Sequence, residues 1–546
     1  MFLAERSNAA GDWRLLTYAA ARDAVRALGQ ALIDLGASLE RPLLLLSDNG
    51  VDHALLQLAA MHAGIPAAPV SPAYSLVSKD HAKLREIAAR VGPGVVYAAD
   101  GALFGAALGA LGAELDGVAL VVSARPPPGR DAHLVDDLRA TTPGEAIARA
   151  FAGVGPDTVA KVLFTSGSTG SPKGVVNTQR MLCSNQRAIV QLWPFLTERF
   201  PVIVDWLPWS HTFGGNHNFN MVLANGGTLY VDAGKPAPGR VEATVANLRD
   251  VSPTLYFNVP RGFDVLLPYL ESDDRLRASF FRNLELVFYA AAALPQSTWE
   301  RLERVAARAR GDAKLTMVSA WGSTETSPLA TQVHFAIDRA GVIGLPAPGC
   351  NLKFVPSGDK LEMRVRGPNV TPGYWERGAC VVPAALDAEG YLSTGDAGRL
   401  DDPRVPARGV VFDGRTAENF KLTSGTWVSV GELCVRVIAT CAPIVQDVVV
   451  AGHDRDAIAL FLFPSASAGA DRRTRVAESL RTYNEAHPAS STRVARALFL
   501  DEPPSIDGGE ITDKGYVNQR AVLARRADAV ARLFADEPEA DVLVIV

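Results

Sequence analysis

From about Trp13 to Val259, short apolar runs alternate with stretches of helical spacing. The runs are PLLLLSD (42–48), GVALVVS (117–123), AKVLFTS (160–166), PVIVDWLP (201–208), GTLYVD (227–232) and PTLYFNVP (253–260), each bounded by Gly, Pro, Asp or Ser. That alternation predicts repeated strand–helix units feeding largely parallel sheets, because parallel neighbours need a crossover and the crossover helix covers the sheet. LELVFYA (284–290) and KLTMVSAWG (314–322) carry the pattern to about Gly322. After Gly344 the helical stretches disappear, and LKFVPSGDKLEMRVRG (352–367) predicts a hairpin around Ser357, Gly358 and Asp359 in a small antiparallel region.

In GVVFDGRTAENFKLTSG (409–425) a strand ends at Asp413 and Gly414 and polar residues follow, which predicts a domain boundary. The remainder predicts a mixed unit: a helix in 429–440, strands in 446–452 and 457–464, a helix near Arg472 to Asn484, a strand in 496–502 and a final helix after Gly515. The expected fold class is α/β, with a large N-terminal domain of mixed and parallel sheets and a small β region (1–413), a hinge (414–418), and a small α+β C-terminal domain (419–546).

Composition narrows the classes. Lys plus Arg number 54 against 59 Asp plus Glu, a net charge of -5, which argues against a nucleic-acid binder working through a basic surface. The five cysteines show no CxxC pair and no histidine at ligand spacing, so neither a disulfide framework nor a zinc site is indicated and a reducing compartment fits. Gly101 to Ala113, the least polar long stretch, is too short to span a bilayer. Glu5 and Arg6 interrupt the N-terminal apolar residues, unlike a secretion signal. A cytoplasmic protein with no integral membrane association is expected.

The strongest local signal is KVLFTSGSTGSPKGVV (161–176): a strand, a loop of small hydroxyl and glycine residues, then a helix from about Asn177 or Thr178. Gly167 and Gly170 let the backbone approach a ligand, Thr165, Ser166, Ser168 and Thr169 supply hydroxyl donors, and Lys173 supplies a cation. These are the parts of a polyphosphate clamp. A Walker loop needs Gly-Lys-Ser/Thr, whereas the order here is Pro172-Lys173-Gly174, so a Mg²⁺ ligand must come from elsewhere.

In that order the stretch resembles the phosphate-loop signature of the adenylate-forming superfamily: acyl- and aryl-CoA ligases, luciferases and peptide-synthetase adenylation domains. The resemblance extends through several spaced segments. WGSTETS (321–327) is similar to the segment in which an aromatic stacks on adenine, a threonine contacts the α-phosphate and a glutamate binds Mg²⁺, implying Trp321, Gly322, Thr324 and Glu325. YLSTGD (391–396) implies Asp396 as the ribose carboxylate, and FDGRT implies Arg415 as a ribose or phosphate contact. LPWSHTFGG implies His211 as a positioning group between nucleotide and acyl pockets. YAAAALPQ (289–296) resembles the small-residue stretch lining the adenine and acyl sites, with Ala291 and its neighbours where glycines are usual, which suggests a narrower pocket. IDGGEITDKGYVNQ places Lys514 where the family carries a lysine that enters the site during adenylation. The hinge departs from the family's Lys-Asp pair, having Ala417 and Glu418, but retains Lys421 and the Ser424-Gly425 turn.

With WSHTFGGNHNFN, this variant looks most like feruloyl-CoA synthases and related bacterial aryl-CoA ligases. The resemblance implies a mobile C-terminal domain and acid:CoA ligation through an acyl adenylate, using ATP, Mg²⁺ and coenzyme A. Partners are a small carboxylic acid, ATP and CoA, in a monomer or homodimer. Candidate acid-pocket residues are Trp209, His211, Phe213, Asn216, Tyr256, Asn258, Tyr289 and Ala291, near strand ends where α/β sites open. The chain begins late relative to such enzymes, so a preceding segment is expected. Open alternatives are another aryl or acyl acid, loading of a carrier protein in trans, a non-catalytic adenylate binder, and a phosphotransferase or ATPase.

Overall fold

The computed structural model describes residues 1–6, 11–165, 171–237, 239–292, 294–311, 313–358, 360–416, 418–465, 468–512, 515 and 517–545. The chain divides into two compact units, one of Met1–Leu352, Val365–Ser393 and Asp401–Val410, the other of Lys353–Arg364, Thr394–Leu400 and Val411–Val546.

In the first unit a nine-stranded sheet has at its heart five parallel strands: β1 (Leu43–Leu46), β2 (Ala67–Val70), β3 (Val95–Asp100), β4 (Ala119–Ala124) and β5 (Val159–Thr165). Leu43 to Leu46 are all 0% exposed, the mark of a strand covered on both faces by its crossover helices. At one side the sheet turns antiparallel: β5 pairs with β6 (Lys173–Thr178), and β6 with a later strand, Gly373–Glu376. A second parallel set joins Leu255–Asn258, Leu286–Tyr289 and Thr316–Gly322, with Leu329–Gln332 and Val342–Pro346 added antiparallel. These two sets carry the candidate site.

The phosphate-loop stretch differs from expectation in one respect. The loop does not run straight into a helix; it closes a β-hairpin, and β6 intervenes before the helix Gln179–Leu192. Thr178 ends the strand and caps that helix, its hydroxyl accepting from Met181 N at 3.3 Å. The helix start was therefore legible and the β-strand ahead of it was not.

The second unit contains the mixed sheet Val445–Ala451, Ile458–Pro464, Val494–Phe499 and Val542–Val544. Its alternate residues bury on opposite faces: Ile458, Leu460 and Leu462 join Leu433, Val437 and Leu480 of two helices, while Ala459, Phe461 and Phe463 join Val522 and Leu533. The single final helix of the sequence reading is two short ones, Gln519–Arg525 and Ala527–Leu533. Among the described residues no helix is long and apolar enough to cross a membrane.

Candidate active site

Thr165 and Lys173 are cross-strand partners at the mouth of the β5–β6 hairpin, so the hydroxyl and the ammonium flank the loop between them. Ser166, Gly167, Ser168, Thr169 and Gly170 lie outside the described residues. Gly174 has no room for a side chain: a Cβ there would stand 2.9 Å from Val162 Cγ1 and 3.4 Å from Trp375 Cβ. The Lys173 ammonium lies over the Tyr374 ring, 5.4 Å from its centroid. Tyr374 reaches this place because its strand pairs with β6 at Val175.

The segment from Trp321 forms the second wall. Trp321 is buried at the end of its strand, and Thr324–Thr326 make a single 3₁₀ turn whose Thr326 hydroxyl accepts from Ser323 N at 2.8 Å. At Gly322 a Cβ would fall 1.6 Å from Pro328 O, so only glycine lets the chain fold back here. Thr324 is buried, Glu325 half-buried. The Tyr374 hydroxyl meets the Glu325 carboxylate; burial first, then that neighbouring negative charge, push the phenol up to about 12. Lys173, Tyr374 and Glu325 thus form one cluster. Sequence reasoning named the first and third and missed Tyr374, whose Gly-Tyr-Trp-Glu setting reads as an ordinary strand.

A buried amide network fixes these segments to one another. Asn216 Nδ2 donates to Asn177 Oδ1 at 2.9 Å and to Thr212 Oγ1 at 3.1 Å, and Ser327 Oγ donates to the same Asn177 oxygen at 3.1 Å. Asn185 Nδ2 and Asn369 Nδ2 both donate to Thr326 O, at 3.2 and 3.1 Å, and Thr371 N donates to Glu325 O at 2.8 Å. Buried hydrogen bonds of this kind specify a single geometry more than they add stability.

His211 is half-buried and begins a tight passage into the π-helical turn Phe213–Asn218. Its Nδ1 accepts from Phe213 N at 3.3 Å, which places the ring proton on Nε2 when the imidazole is neutral. The remaining acid-pocket candidates divide. Trp209 is 0% exposed, edge-on to His53 and Phe219, and Asn216 belongs to the amide network. Tyr256 and Tyr289 face an apolar cluster with Phe263, Phe280 and Trp299 under the helices. Asn258 Nδ2 donates to the Tyr256 hydroxyl at 3.0 Å and its Oδ1 accepts from Val259 N at 2.9 Å. Phe213 packs against His217, Phe257 and Phe288. The strand alternation thus turns Tyr256 and Asn258 to the helix-covered face. Ala291, at the end of Leu286–Tyr289, takes φ +74°, a left-handed conformation normally left to glycine.

In the second unit Asp396 is buried, with Arg415 Nε 3.3 Å from its Oδ1. Glu362 accepts from Gly395 N at 3.1 Å, shaping the turn before Asp396. Lys421 lies over Trp427 at 4.9 Å on a short hairpin. Lys514 and Ala417 fall outside the described residues.

The chain is similar to several known proteins. Indoleacetate--CoA ligase of Aromatoleum aromaticum is 28% identical over 397 residues, 71% of this chain and 72% of its own length. A 3-[(3aS,4S,7aS)-7a-methyl-1,5-dioxo-octahydro-1H-inden-4-yl]propanoyl:CoA ligase of Rhodococcus jostii is 34% identical over 264 residues, 48% of this chain; the match spans about half of that relative, 47%. ATP-bound MatB from Rhodopseudomonas palustris shares the fold with TM-score 0.71 at 22% identity, covering 97% of this chain and 96% of that one. A benzoate CoA ligase from Burkholderia xenovorans LB400 does so with TM-score 0.71 at 20% identity, covering 95% and 96%. The model of the AMP-binding enzyme C-terminal domain matches residues 432–538. The AMP-binding enzyme model itself matches residues 4–375, a span that holds the hairpin, His211, the Trp321 segment and Tyr374, and the chain belongs to that family.

Proposed function

We propose that the protein is an ATP-dependent carboxylic acid:CoA ligase acting on an aryl acid, with a hydroxycinnamic acid such as ferulate as its substrate. The observation that carries the reading is the grouping of Lys173, Tyr374 and Glu325 beside a hydroxyl-rich hairpin loop. A cation, a neutral phenol and one carboxylate beside a loop sequence of glycines and hydroxyl residues suit a nucleotide polyphosphate. In the first step a carboxylate oxygen of the acid bonds to the α-phosphorus of ATP and pyrophosphate leaves. In the second the CoA thiol gives up its proton to solvent, its sulfur bonds to the acyl carbon, and AMP leaves as the bond between the acyl carbon and the phosphate oxygen breaks.

Each residue has a task in that scheme. Lys173 and Thr165 hold the phosphates, and Thr324 offers its hydroxyl to the α-phosphate. Trp321, Gly322 and Ala291 line the adenine end, while Asp396 and Arg415 hold the ribose and Lys421 belongs to the segment presented for thioester formation. Glu325 fits Mg²⁺, which in nucleotide sites takes one or two carboxylates and completes its shell with phosphate oxygens and water. Bound there, the ion would neutralise charge on the phosphates. His211, protonated on Nε2, orients the acid. Lys514 offsets the repulsion between the acid's carboxylate and the α-phosphate, so Lys514→Ala slows adenylation while sparing thioester formation from synthetic feruloyl-AMP and CoA.

The indoleacetate in the name of the Aromatoleum relative supports an aryl substrate, as does the aromatic interior behind Phe213, whereas the saturated bicyclic acid in the name of the Rhodococcus relative supports only a ring-bearing one. The test is AMP and pyrophosphate release from ATP with cinnamic, benzoic, phenylacetic and fatty acids, with and without CoA. Ferulate should exceed a C12 or longer fatty acid in kcat/KM. Faster turnover of the fatty acid overturns the hydroxycinnamate reading, and ADP or phosphate as product overturns the ligase reading.

A further inference from the structure

Lys161 lies in the first strand of the hairpin, and its side chain is 0% exposed. Its cross-strand partner is Asn177, the centre of the buried amide network, so the two side chains project from the same face of the sheet. The ammonium donates to Gly215 O at 2.9 Å and stands 5.8 Å from the Phe219 ring centroid. Among the described residues no carboxylate lies within ion-pairing distance of it. The nearby titratable group is His53 on the helix Val51–His62, which burial and this cation together hold neutral.

Burial with no carboxylate beside it pulls the Lys161 pKa down from 10.5 to about 7, so holding the proton there is expensive, and an apolar chain of similar volume would fill the same space at lower cost. What the ammonium supplies and a methionine would not is a donor to the Gly215 carbonyl. Gly215 is the pivot of the turn. Its N–H donates to His211 O at 2.8 Å, and a Cβ on it would lie 2.3 Å from Trp209 O, so the backbone here is pressed against its neighbour. Lys161, Gly215 and His211 therefore form a chain of contacts, ammonium to carbonyl and amide to carbonyl, running from the phosphate hairpin to the residue that bears the imidazole.

We propose that Lys161 is a positioning residue: its buried ammonium holds the Gly215 carbonyl and thereby sets the placement of His211 against the acid. The inference rests on the proposed role of His211. The result is a mechanical link between the strand that bears the phosphate loop and the turn that bears the histidine.

The experiment is a double-mutant cycle in the full chain with Lys161→Met and His211→Ala, read as acid-dependent pyrophosphate release with ferulate or whichever acid of the screen turns over fastest. Lys161→Met should melt close to the parent temperature, since the desolvation cost it removes offsets the donor it takes from Gly215 O, yet lose roughly tenfold in kcat, as much as His211→Ala itself, because it acts through that residue. His211→Ala should cost roughly tenfold with Lys161 present and no more than about twofold in the Lys161→Met background, because the two changes remove one interaction. Lys161→Gln, which keeps a donor, should recover part of the rate and serves in the cycle if the methionine variant does not fold. Parent-like rates in Lys161→Met, or losses that multiply, overturn the inference. Parent-like turnover in His211→Ala alone is a separate result, which removes the role of His211 and the inference with it.

Discussion

The Tyr374 ring lies under the Lys173 ammonium, 5.4 Å from centroid to Nζ, while its hydroxyl meets the Glu325 carboxylate. One side chain thus touches both the cation that would grip a phosphate and the carboxylate that would hold its metal. The two contacts use different parts of the residue, so they are separable by mutation. Tyr374→Ala removes the ring beneath Lys173 and should raise KM for ATP by about 3- to 10-fold, near the roughly 1 kcal/mol of an exposed to half-buried cation–π contact. Tyr374→Phe keeps the ring and should leave that KM within about twofold while lowering the Mg²⁺ needed for half-maximal rate, since Glu325 loses a competing donor. Initial-rate titrations of ATP and Mg²⁺ check both. Equal KM in the two variants would remove the ring contact from the site.

Glu325→Gln tests the other end of the cluster. An amide is a poor ligand for a hard divalent ion, so the Mg²⁺ concentration for half-maximal pyrophosphate release should rise roughly tenfold. Because the Glu325 backbone, not its carboxylate, anchors Thr371 N, the melting temperature should be unchanged. An identical Mg²⁺ titration in the variant defeats the metal assignment.

The residues of this cluster show what a sequence can reveal. Lys173 and Glu325 stand inside contiguous patterns whose chemistry is readable locally. Tyr374 lies far along the chain and reaches Lys173 only because Gly373–Glu376 pairs antiparallel with β6, a long-range register that no local pattern encodes. Strand phase limits the reading in the same way. Tyr256 and Asn258 sit at a strand end facing an expected pocket, yet whether they or Phe257 face the helices depends on a register of period two, and the structure turns them under the helices. Apolar runs such as Leu43–Leu46 needed no such information, since a strand buried on both faces reads alike in either phase.

His217 predicts a pH dependence of stability. Its ring is enclosed by Trp193, Phe213, Phe257 and Phe288, with Nδ1 2.9 Å from Asn218 Oδ1, and burial lowers its pKa from 6.5 to about 4. Between those values the unfolded chain binds a proton that the folded chain does not, so stability falls as pH drops from about 6.5 toward 4, by at most about 1.4 kcal/mol per pH unit from this group. His53, lowered to about 3 by burial first and then by Lys161, adds a limb of the same sign. His217→Phe should therefore make the decline shallower without abolishing it, as read by urea unfolding at about pH 4.5, 5.5, 6.5 and 7.5. A variant with the parent's slope would show that the ring takes up its proton without unfolding.

Ala291 gives the last prediction, because two opposing effects can be compared there. At φ +74° its methyl is held in the left-handed region, which disfavours an L-residue by about 1–2 kcal/mol. Replacing it with glycine removes that strain but loosens the unfolded chain, an entropic loss of about 0.4–1 kcal/mol. Relief of the strain outweighs the entropic loss, so Ala291→Gly should stabilise the protein by roughly 0.5–1 kcal/mol, visible as a higher urea midpoint. The same methyl stands where the resemblance to the family places the adenine and acyl pockets, so its loss should widen the acid site. KM for benzoate should then rise and KM for a bulkier 3,4-disubstituted cinnamate should fall. Stabilisation without any change in acid preference would confine Ala291 to backbone strain, and destabilisation would show that its methyl packs usefully where it stands.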